Sequence, residues 1–122
     1  MKPAQISDLS AVSEAIFQKE NQRLRPLLQA EARILQQLAR LDNQLAEART
    51  DSSESEGYRV TGTDVLWHRW ESTTRRQLNL ELARLRAQKM DAMKDLRTAF
   101  GRKQAVGELK AQLLNQARRR AE

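Results

Sequence analysis

An all-α fold, a long two-helix antiparallel coiled-coil hairpin, is predicted by three observations. The first is an apolar seam in the first half: Phe17, Leu24, Leu27, Ile34, Leu38, Leu41, Leu45 and Ala48 follow one alternating three-and-four spacing. Only Glu20 and Glu31 interrupt it. The second is the return of that rhythm between Leu78 and Ala117, and the third is the single polar, glycine-containing break between the two. Such spacing keeps a narrow apolar stripe against a partner helix and leaves the rest of the surface charged. Two long helices joined by one break pair most simply as a hairpin, so 1–122 reads as a single domain.

The first helix is expected over about 8–49, with Ser7 or Asp8 as its cap, since either side chain accepts a bond from an orphan N–H one turn later. Pro26 lies inside it. Proline removes one backbone bond and clashes with the preceding turn, so either a kink forms or one helix ends and another begins. The rhythm continues through Leu24 and Leu27, which favours a kink. Residues 50–62 (TDSSESEGYRVTG) read as the loop, because Ser, Asp and Thr offer turn-type bonding and Gly57 and Gly62 permit positive φ.

The second helix is expected over about 63–119, capped by Thr63, with Asp64 in the first turn, where a negative charge suits the helix dipole. Its seam residues are Leu78, Leu82, Leu85, Ala92, Leu96, Ala99, Val106, Leu113 and Ala117, with Lys89, Lys103 and Lys110 as interruptions. A seam lysine weakens pairing but fixes register, and its ammonium snorkels to water. Gly101 and Gly107 lie within this helix, where glycine costs about 1 kcal/mol relative to Ala. They invite close approach of another backbone, with the first helix as the expected neighbour, or a local bend. Leu28, Leu35, Leu80 and Leu114 flank the seams as exposed positions.

Charge divides unevenly. Residues 1–62 carry 8 Lys/Arg against 9 Asp/Glu, and residues 63–122 carry 14 against 7. The second helix thus holds the basic character, which attracts acidic surfaces or phosphate, or serves simply as a solvated helical face. The interleaved acids Glu71, Glu81, Asp91, Asp95 and Glu108 dilute any phosphate-tracking stripe and argue against nucleic acid as the partner. The chain has no Cys, which removes disulfides and thiol chemistry. It has no long apolar run and no signal-peptide pattern at MKPAQISDLS, so a cytoplasmic location without a transmembrane segment is expected.

No catalytic, cofactor or metal site is read from the sequence. Phosphate-binding glycine loops and nucleophile elbows do not occur, and His68 is a lone histidine between Trp67 and Arg69. Acid–base work needs two carboxylates held in a cleft with separated pKa values, and a two-helix rod offers none. The expectation is a non-enzyme. Binding is expected at two places. Leu66, Trp67 and Trp70, with Tyr58 nearby, form an apolar patch at the tip, which either meets a partner, since tryptophan is over-represented where interfaces carry their energy, or closes the tip by packing on the end of the first helix near Leu45 and Ala48. Arg118, Arg119 and Arg120 form a basic foot, although cations at a helix C-terminus are favourable on their own account.

The pattern RRQLNLELARLRAQK (Arg75 to Lys89), with LRTAFGRKQA (Leu96 to Ala105) and the basic C-terminus, resembles the flagellar type III export stalk proteins, the FliJ/YscO-type family. The resemblance is one of architecture and texture and spans nearly the whole chain. It implies a stalk that promotes hydrolysis by a hexameric export ATPase, located in the cytoplasm or at the cytoplasmic face of the inner membrane. By the same resemblance the segment around Phe17 and the Arg118–Arg120 foot meet the ATPase. The tip at Leu66, Trp67 and Trp70 is left for the cytoplasmic domain of the export gate or for substrate chaperones. A generic coiled-coil adaptor or scaffold, and a basic nucleic-acid-binding hairpin, are the alternatives.

Overall fold

Lys2 and Pro3 open the first helix, α1 (Pro3–Glu54), and Gly62 opens the second, α2 (Thr63–Ala121). Together they form the all-α, two-helix antiparallel hairpin. The computed structural model describes residues 2–54 and 62–121, without the side chains of 51–54.

Both caps differ from the sequence reading. α1 does not wait for Ser7 or Asp8: the Lys2 carbonyl accepts from the backbone N–H of Gln5 and Ile6, while the Lys2 N–H donates to Gln5 Oε1 at 3.1 Å. That is the returning half of a capping box, with Pro3 at the first helical position, where its missing N–H costs nothing. At the other helix Gly62, at φ 70°, takes the cap position expected of Thr63; its carbonyl accepts the first helical bond from Leu66 at 3.2 Å. Thr63 is the first helical residue and Asp64 lies in the first turn, as expected.

α1 passes through Pro26 without ending there. It also runs past Arg49 to Glu54, because Thr50 continues the helix and donates its hydroxyl to the Ala46 carbonyl at 3.1 Å. A threonine so bonded no longer competes with the helix for its own turn. Tyr58 and Gly57 lie outside the described residues.

The chain divides into two compact units. The first comprises Met1–Leu27 and Gln88–Glu122. Ile6, Ser13 and Leu24 of α1 are buried there with Ala92 and Ala99 of α2. Ser13 tolerates burial because its hydroxyl donates to the Ser10 carbonyl at 2.9 Å. Phe17 is half-buried in the seam, its ring 5.9 Å from that of Phe100 and 4.6 Å beneath the Lys103 ammonium. Lys103 reaches on to Glu14 at 2.8 Å, and Arg23 spans to Asp95 at 2.7 Å. The lysine therefore snorkels, as its seam position requires.

The second unit is Leu28–Ala87. Ile34 and Leu41 of α1 are buried with Leu82 and Glu71 of α2. Glu31 receives Arg86 at 3.3 Å, and Asp42 pairs with Arg75 at 2.7 Å.

These cross-helix pairs define the register. The residue numbers add to 117 for 14/103 and 17/100 in the first unit, and for 31/86 and 42/75 in the second; the 23/95 pair adds to 118. On α1 the least exposed residues keep the heptad stagger from Ile6 to Ala48 without a slip, with Glu20 and Glu31 in seam positions. On α2 two positions depart from the reading. Leu109 is half-buried and Lys110 exposed, and Ala117 is exposed although it was placed in the seam. A helix of 3.6 residues per turn drifts against a 3.5 repeat, so the inward face moves by one residue where pairing constrains it least.

Candidate docking surfaces

The near end of α2 places both tryptophans one turn apart. Trp67 is half-buried, with its ring edge-on to His68 at 5.2 Å and tilted to Trp70 at 6.4 Å. Leu66 is 64% exposed and Trp70 52%, and Val65, which the sequence reading passed over, is equally open. Leu66 and Trp70 share one face at an i, i+4 spacing, with Arg69 beside them, so the surface is both apolar and cationic. His68 is exposed.

Immediately beyond this face lies the most unusual polar feature. Glu71 is buried in the seam and accepts from Arg75 Nε at 2.7 Å. Arg75 Nη2 also sits 2.7 Å from Asp42 Oδ1, a close ion pair that lacks the alignment of a hydrogen bond. Glu71 first, then Asp42, raise the Arg75 pKa above its ordinary value. The sequence signal was present as an i, i+4 Glu–Arg pair. It read as surface charge because acids on a basic helix ordinarily face water. With Glu71 turned inward and Asp95 held by Arg23, two of the five acids that dilute the α2 charge are engaged, while Glu81, Asp91 and Glu108 remain exposed.

At the terminal end of the first unit, Pro3 and Ile6 of α1 and Leu113, Ala117 and Arg120 of α2 border an open trough of about 500 Å³. The register sets Leu114 opposite Pro3, so Arg118, Arg119 and Arg120, all exposed in the last turn, lie past that point. Phe17 is in the seam of the same unit, against Phe100. The two expected halves of a terminal site are therefore an exposed basic foot and a half-buried ring packed on its own partner helix.

The glycines correct another expectation. Cβ atoms built at Gly101 and Gly107 meet no heavy atom within 4 Å. Neither glycine is needed for close packing on α1; both face open space.

Geometry and surface define a class, the antiparallel coiled-coil hairpin with unpartnered apolar flanks. Among the described residues no helix is long and apolar enough to cross a membrane. Comparison of the chain with protein-family models, curated proteins and solved structures returned no match.

Proposed function

We propose that this chain is a non-catalytic coiled-coil stalk of a flagellar-type protein export apparatus, which docks in a hexameric export ATPase and stimulates its hydrolysis. The observation that carries the reading is the terminal end of the hairpin. There the start of α1 and the end of α2 share one trough, with three successive exposed arginines in the last turn and Arg120 on its border. A narrow two-helix end with a basic foot suits insertion into an acidic socket at the centre of a ring. Binding one conformation of the ring in preference to others shifts its population toward that conformation, which is how a protein without catalytic groups promotes another's reaction. The exposed Leu66–Trp70 face is then available to the export gate or to substrate chaperones.

The test is the hydrolysis rate of the flagellar-type export ATPase from the same organism, titrated with this protein. Stimulation saturating near one hairpin per hexamer, and weakened by deleting Arg118–Glu122, is the expected result. An unchanged rate together with no co-elution sinks the proposal. A coiled-coil adaptor is the second reading, favoured by the exposure of Leu66 and Trp70. It predicts a partner whose binding survives loss of the foot and fails in Trp70→Ala.

A further inference from the structure

A second apolar surface belongs to neither the tip nor the terminal end. In the first unit Leu9, Val12 and Ile16 recur along the flank of α1, facing Ala105 and Val106 of α2 across a trough of about 270 Å³, with Arg102 on its rim. Val12 is 54% exposed, and none of the described residues covers it. Charges are distributed unevenly around this trough. The cross-helix register sets Glu108 level with Leu9 and Arg102 level with Ala15. On α1, Asp8 stands before the apolar residues and Lys19 after them. Both acids are at one end, both bases at the other, and none of the four is ion-paired among the described residues.

We infer that a second copy of this chain docks on this trough, antiparallel to the first, about a two-fold axis near Val12 and Ala105. That operation brings the acidic end of one copy onto the basic end of the other. Arg102 faces Glu108 of the second copy, and Lys19 comes within one turn of that copy's Asp8. A parallel arrangement would set acid on acid and base on base, which is destabilising. A foreign helix would have to carry the reversed charge order, whereas a two-fold axis supplies it from the same surface. Ala105 on the α2 side of the trough is small, so another helix has room to approach. The product is a four-helix arrangement that buries Leu9, Val12 and Ile16. This inference does not depend on the export reading.

The experiment is sedimentation equilibrium on the full chain over a wide concentration range. The expected result is an average mass rising from 14.1 kDa toward twice that value. Val12→Lys, at an exposed position, should keep the helical circular dichroism and lower the association constant on the order of 100-fold, because two-fold symmetry counts each lost apolar contact twice. Arg102→Glu and Glu108→Arg should each weaken association, and the double variant should recover it. A monomer at every concentration overturns the inference and leaves the trough to a different protein. So does a dimer indifferent to Val12→Lys, or a charge-swapped double variant that stays as weak as the single ones.

Discussion

Ile34 and Leu35 are neighbours in sequence and equal in carbon content, yet only one faces the seam: Ile34 is 4% exposed and Leu35 43%. Substitution by Ala removes three carbons from either side chain, so the difference in cost measures the pairing face alone. At about 0.8 kcal/mol per buried CH₂, Ile34→Ala should cost about 2.4 kcal/mol. The cavity contribution is small, because a two-helix seam has water on both flanks and its neighbours relax into the space. Leu35 keeps roughly half its surface in water already, so Leu35→Ala should cost about 1 kcal/mol, reduced further by the higher helix propensity of Ala. Both positions lie in the second unit, as do Trp67 and Trp70. Urea unfolding followed by tryptophan fluorescence therefore reports the unit that carries the change. With a slope of about 2 kcal/mol per molar, the midpoint should fall by about 1 M for Ile34→Ala and by less than about 0.5 M for Leu35→Ala. Equal shifts, or a larger one for Leu35→Ala, would refute the assigned seam.

Three further outcomes are expected. Gly101→Ala and Gly107→Ala should each stabilise the protein by about 0.5–1 kcal/mol in thermal or urea unfolding, since each is helical with open space at the Cβ position. Arg75→Met should destabilise the second unit, because it strips the buried Glu71 carboxylate of its ion-pair partner; adding Glu71→Leu should recover much of the loss, as paired apolar replacements of buried charges do. The Glu14 carboxyl is held below the ordinary range by the Gln18 amide first and by Lys103 second. A lowered folded pKa means that this contribution is complete above the ordinary glutamate value, about 4.3, and is lost as pH falls through the folded value. Acid titration of stability should accordingly be slightly shallower in Glu14→Gln, and only slightly, because the group is solvent-exposed and screened. Arg23 and Arg75, raised from an already high value, add no pH dependence in the working range.

The sequence by itself determined that the chain is two helices and which stripe of each is apolar. Leu24, Ile34 and Leu41 on α1, and Leu82, Ala92 and Ala99 on α2, all stand in the seam where the three-and-four spacing puts them. That much is legible because helical periodicity is a local property, and one apolar stripe on an otherwise charged helix has only one way to face. Leu28, Leu35, Leu80 and Leu114 were legible as exposed for the same reason.

Pairing decided the rest. Ser13 enters the seam because α2 lies over it and a carbonyl one turn back takes its hydroxyl, neither of which composition displays. Glu71 is buried only because Arg75 accompanies it and Asp42 of the opposite helix draws that arginine across. Leu109 replaces Lys110 on the inward side where the two periods have drifted apart. In each case the deciding quantity is which residue of the other helix stands opposite. That is fixed by the register between two segments far apart in the chain, and no window of local sequence contains it.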